Sequence, residues 1–141
     1  MSHRDMPLPH LLGLLLVITS FAPAPPEEAP APDFSALLEA RYRAAERQFE
    51  ETWVYYKQAR TDAYPVYVWS HFLLQTRYDL SDKKADRIVA LEAHLDRMKK
   101  LETLVKKVRK LGFGQAIEVG ATEYYRIEAE YWLAHARAQP R

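Results

Sequence analysis

The chain has no cysteine. That excludes disulfides, thiolate metal sites, covalent haem attachment, an acylated lipoprotein cysteine and cysteine catalysis. Glycine is nearly as scarce, with four in 141 residues, and Gly112, Gly114 and Gly120 cluster around one turn. Seven of the nine prolines precede Asp33, which leaves the rest almost free of helix breakers. No global charge bias exists either. The net charge is +1, so composition points neither to nucleic acid nor to disorder. No phosphate-binding glycine loop, His-Glu-x-x-His pair or Glu-x-x-His pair occurs. Ser35, Ser70 and Ser81 sit in no nucleophile motif and read as caps or filler.

What is present begins with an export-type segment. Arg4 is followed by an unbroken apolar run from Leu11 to Phe21. Its eleven residues have the length of a signal-peptide core and are short for a bilayer span. Ala22 and Ala24 supply small residues at a cleavage spacing, but Pro25 follows the cut and obstructs it. Residues 1–24 therefore read as a signal peptide or membrane anchor. The competing reading, a buried apolar helix, is disfavoured by the position at the extreme N-terminus. Residues 25–32 form a Pro/Ala linker, expected to be extended and disordered. Roughly 110 residues then remain, enough for one core.

From Asp33 the spacing predicts an all-α domain over residues 33–141, with helices over 33–60, 65–80, 82–111 and 115–138. Short connections make neighbours antiparallel, so hairpins in a coiled-coil-like four-helix bundle are expected. The first helix offers Phe34, Leu38, Tyr42, Ala45, Phe49, Trp53 and Tyr56 on one face. The second offers Val68, Trp69, Phe72, Thr76 and Leu80, and Pro65 suits its first turn. The third keeps heptad-like spacing through Ile88, Leu91, Leu95, Met98, Leu101, Val105 and Val108. Ser81 or Asp82 is placed to cap its start, and Gly112 to end it. The fourth carries Ile117, Ala121, Tyr124, Ile127 or Glu128, Tyr131 and Ala134 along its face. A shift of 53 residues lays the first half faintly on the second, with Val66 on Val119 and Tyr78 on Tyr131. This is either a duplicated hairpin or chance agreement between amphipathic helices.

The third helix is the most biased stretch, with ten basic and five acidic residues between Asp82 and Leu111. Arg97, Lys99, Lys100, Lys106, Lys107, Arg109 and Lys110 lie in its second half. The bland reading neutralises them against Glu118, Glu123, Glu128 and Glu130 of the next helix. The functional reading is an anionic docking surface for lipid headgroups or a cell-wall polymer. Nucleic acid is disfavoured, because export removes the protein from it. Tyr124, Tyr125 and Trp132 are candidate interface aromatics, being large side chains with a polar tip. His71, His94 and His135 fall on separate helices, so a metal site would have to be assembled across them. Neither cofactor nor metal is expected.

Val108 to Gln139 (VRKLGFGQAIEVGATEYYRIEAEYWLAHARAQ) resembles the helix–turn–helix repeat of outer-membrane efflux factors. Gly112, Ala121, Glu128, Ala129, Glu130, Leu133, Ala134 and Ala136 carry the likeness, and Tyr56 to Leu80 echoes it faintly. It implies a helical hairpin in the cell envelope, with an efflux- or secretion-related role. Those factors are several times longer and contribute barrel strands that this chain lacks, so transport is not implied. YVWSHFLLQTRYDL and ALEAHLDRMKKLE also resemble small uncharacterised secreted helical proteins of bacteria, which implies no activity. The sequence reading is thus a non-enzymatic exported helical protein. It is expected to act by helix–helix contact with itself or an envelope protein, or else to bind an anionic surface through residues 97–110.

Overall fold

The computed structural model describes residues 34–139. The signal segment, the linker and Asp33 lie outside them. Four helices fill the described residues, with no strand: α1 (Phe34–Lys57), α2 (Ala63–Leu80), α3 (Lys84–Lys110) and α4 (Ala116–Ala138). Every boundary lies within three residues of the expected one, and two of the shifted starts have a local cause. Helix α2 begins two residues before Pro65, because Asp62 caps it by accepting from the Tyr64 amide at 3.0 Å. Helix α3 begins at Lys84 with Lys83 at the cap position. Ser81 serves instead to accept from the Lys83 amide and to donate to Asp86.

The helices pack in chain order. Helix α1 lies on α2, α2 on α3 and α3 on α4, while α1 and α4 make no close backbone approach. The ion pair Arg41–Asp79 ties the start of α1 to the end of α2. Arg126–Glu102 and Arg137–Glu92 set α3 and α4 antiparallel. The core follows the α3 seam: Leu91, Leu95, Met98, Leu101 and Val105 are buried, joined by Val66, Leu74, Ala129 and Leu133. That seam is where the heptad reading held.

Two faces turned out otherwise. On α2 the buried positions are Ala63, Val66, Ser70, Leu73, Leu74 and Thr76, and Phe72 is exposed. On α4 they are Thr122, Ala129 and Leu133, with Val119, Tyr125 and Trp132 packed against the core. The α4 stripe expected to face inward instead faces out. Both helices carry apolar residues on more than one face, so periodicity identifies a helix without choosing its buried side.

The turns are built alike. Lys57 and Lys110, Ala59 and Gly112, Asp62 and Gln115, and Ala63 and Ala116 are each 53 residues apart, and they occupy the same places in the two hairpins. After α3, the Gly112 amide donates to Arg109 and the Phe113 amide to Val108, the paired bonds of a Schellman motif. After α1, Ala59 donates to Tyr56 and Arg60 to Tyr55 in the same pattern. Gly112 takes φ of 86° and Ala59 takes 54°. A Cβ in that region costs about 1–2 kcal/mol, which glycine avoids. Ala59→Gly is therefore expected to raise stability by about 0.5–1 kcal/mol, read as an increased urea midpoint. An unchanged or lowered midpoint would contradict the strain.

Glu118 joins the two turns at one end of the bundle. One carboxylate oxygen accepts from the Ala63 amide at the start of α2, 2.9 Å away, and the other from the Gln115 amide at the start of α4. Two helix N-termini, each with unpaired amides and a positive dipole end, thus share one anion.

Candidate functional site

Three features could meet a partner or ligand. The first is the outer face of α4. Helical spacing places Ile117, Tyr124, Ile127 and Tyr131 on one side, and they are exposed to 76, 60, 50 and 64%. Ala121 lies half-buried on the same side. Gly120, between them, would meet nothing within 4 Å if it carried a Cβ. An exposed mid-helix glycine costs about 1 kcal/mol against alanine, and no contact within the bundle requires it. Of the three candidate interface aromatics only Tyr124 is on this face, where it donates to Glu128 at 3.0 Å. Tyr125 turns inward and stacks on Tyr67 with ring centres 4.0 Å apart, and Trp132 packs against His71 and His94. Glu128 also accepts from Tyr67 at 2.7 Å. Burial first, then that carboxylate, pushes the Tyr67 hydroxyl well above the ordinary tyrosine range.

The second feature is the basic run of α3, which the structure divides. Arg97 faces the interior: its Nε donates to Ser70 Oγ at 2.7 Å and its guanidinium lies over the Phe49 ring. Burial pulls it down to about 10. Lys100 pairs with Asp96 and Lys106 with Glu102, both along the helix. Lys99, Lys107, Arg109 and Lys110 are exposed, and none has a salt bridge among the described residues. The expected neutralisation by α4 runs the other way. At the α3–α4 seam the acids belong to α3 (Glu92, Glu102) and the cations to α4 (Arg137, Arg126). Lys99, Lys107, Arg109 and Lys110 are left exposed, and Lys99 lies in a surface groove with Leu133 and Arg137 of α4.

The third feature is one that the sequence did not reveal. His94 is fully buried on α3, and its Nδ1 lies 2.8 Å from Ser70 Oγ. Arg97 can only donate, so Ser70 accepts from it and has its own hydrogen to give His94. That places the imidazole hydrogen of His94 on Nε2. A Ser–His pair invites comparison with a nucleophile and its base. Here both residues are wholly buried and the serine oxygen is engaged by Arg97, which makes the pair a core polar anchor. Among the described residues, His94 Nε2 and His71 Nδ1 are the buried side-chain atoms without a hydrogen-bond partner. Their rings lie 6.3 Å apart, and both pack on Trp132. A cleft of about 610 Å³ opens beside them, lined by His71, Trp132, Tyr78, Gln75, Leu74 and Leu91, with the Arg41–Asp79 pair at its edge. His135 also reaches this cleft, but the described residues hold no cluster of three or more His, Cys, Asp or Glu suited to a metal ion.

No described helix is long and apolar enough to cross a membrane. No family model, curated protein or solved structure matches the chain.

Proposed function

We propose that the protein works by helix–helix association through the outer face of α4, and that the occupant is a second copy of the same face. The exposed stripe carries this reading, because large apolar side chains at heptad spacing on a helix that already buries another face have no use within the bundle. The stripe is also symmetric about Tyr124. With two α4 helices antiparallel, Ile117 falls opposite Tyr131 of the other copy, Ala121 opposite Ile127, and Tyr124 opposite itself. A self-complementary patch of this kind suits a two-fold dimer, and Gly120 allows the backbones to approach closely. The export-type segment and the resemblance to envelope hairpins support the cell envelope as the place of action, in a non-catalytic role.

Sedimentation equilibrium tests this. The wild-type chain dimerises, and Tyr124→Glu and Ile127→Lys leave monomers of unchanged helicity. A wild-type chain still monomeric at roughly 1 mM, where even a contact of about 4 kcal/mol would populate the dimer, removes the proposal. Because Glu123 lies beside the axis and meets its own copy, added salt strengthens the dimer.

The unpaired Lys99, Lys107, Arg109 and Lys110 favour a second reading, docking to an anionic membrane surface. Binding to anionic vesicles would then weaken with salt, the opposite trend. It would be lost in a variant with Lys99, Lys107 and Lys110 changed to Glu, and not in the Tyr124 variant.

A further inference from the structure

We propose that the cleft beside His71 and Trp132 is a binding site for a small, neutral, planar heteroaromatic molecule that carries a hydrogen-bond acceptor. Size and lining set the class. A volume of about 610 Å³ lies within the range of small-molecule sites. The walls are aromatic (His71, Trp132, Tyr78) over a floor of Leu74 and Leu91. Flat rings stack favourably against such walls. The nearest full charges, Arg41 and Asp79, already neutralise each other, so nothing in the cleft calls for a charged ligand.

The requirement for an acceptor comes from the two histidines at the wall. Arg97 donates to Ser70, Ser70 to His94 Nδ1, and His94 is left with a hydrogen on Nε2. On the neighbouring ring His71 Nδ1 is sealed in the interior without a partner. The two orphan atoms lie on packed rings and are not bonded to each other. A sealed lone pair is tolerated more readily than a sealed N–H, which assigns the hydrogen of neutral His71 to Nε2. His71 lines the cleft while its Nδ1 is buried, so the ring edge that reaches the cleft is the one carrying Nε2. The cleft therefore presents the His71 Nε2–H as a donor. An acceptor on the ligand meets it, whereas a purely apolar ligand would leave it desolvated and unpaired.

Two probes of one shape separate these cases. 1-Methylbenzimidazole has a ring nitrogen acceptor and no N–H, and 1-methylindole has carbon in that place. Both are titrated into the full chain at neutral pH and followed by the NMR signals of the Trp132 indole ring. Saturable binding with roughly a tenfold preference for 1-methylbenzimidazole is expected, the worth of one hydrogen bond in a desolvated site. His71→Phe keeps a ring against Trp132 and is expected to erase the preference while both probes still bind. No saturable shift with either probe would overturn the site. Equal affinity of the two in the wild-type chain, a comparison that needs no variant, would overturn the donor, as would a preference that survives in His71→Phe.

Discussion

Between pH 6.5 and 4.5 the protein is expected to lose stability by about 1.4 kcal/mol for each unit of acidification, and His94→Gln is expected to remove most of that slope. Burial first, then the charges of Arg97 and His71, pull the His94 imidazole from its ordinary 6.5 to about 3, with Ser70 opposing weakly. In the unfolded chain His94 titrates near its ordinary value. Across the interval between these two values the unfolded state holds one more proton, so falling pH favours unfolding. Above pH 6.5 the imidazole is neutral in both states and the effect is absent. The groups around it are Tyr67, Ser70 and His71 from α2, Arg97 from α3 and Trp132 from α4. None is a carboxylate that could stabilise the imidazolium. Glu102 is the main competing source of acid sensitivity. Burial raises its carboxyl, but the bonds from Lys106 and Arg126 outweigh that and hold it below its ordinary 4.5. Its contribution is thus complete above that value and is lost only as the pH falls further, which keeps the upper window for His94. In urea titrations at pH 7.5 and 5.0 the wild-type chain should differ by about 2 kcal/mol and the variant by far less. Parallel losses in the two proteins would show that His94 is not the group responsible.

Glu118→Ala should cost about 2–4 kcal/mol, a large share of the stability of a domain this size. The substitution deletes the acceptor of two amides at once. The Ala63 amide belongs to a residue only 2% exposed, so water cannot replace the carboxylate there. The Gln115 amide lies at an exposed helix start and is readily hydrated, so most of the penalty belongs to Ala63. Both helix starts also lose a favourable charge. Glu118→Gln keeps one acceptor oxygen and should cost about half as much. Thermal unfolding reads the pair: a drop of roughly 10–20 °C for alanine and a clearly smaller one for glutamine. If the two variants match, the carboxylate is not bridging two amides.

How much of this was legible beforehand depended on how many competing faces each helix carries. Helix α3 has one apolar seam in a strongly charged sequence, and its core positions were read correctly from Leu91 to Val105, with Ile88 partly buried against them. Helix α1 buried its expected side at Ala45 and Tyr56 but left Phe34, at its start, exposed. Helices α2 and α4 have apolar side chains around most of their circumference, and which side faces inward is decided by neighbours far away in the chain. Gly112 announced its turn because glycine is suited to positive φ. Ala59 makes the same turn without any such signal, which left the duplication faint in the sequence and plain in the geometry. Arg97 reads as one more cation in a basic run, and only its rotation toward Ser70 sets it apart. His71 and His94 are 23 positions apart on different helices, so no local pattern could have paired them.

The chain-order packing has a consequence for how the molecule opens. Helix α1 has a single close backbone neighbour, α2, and of its 24 residues only Ala45, Thr52 and Tyr56 are fully buried. Phe49 under Arg97 is a side-chain link from α1 to α3. Detaching α1 therefore breaks one interface and leaves α2, α3 and α4 with their shared core, a partial opening that takes less free energy than complete unfolding. Native-state hydrogen exchange would divide along that line, with α1 amides exchanging as one cooperative unit and the α3 seam protected up to the global limit. The bundle is in this sense two layers of cooperativity, a durable three-helix body and a first helix that can leave it and return.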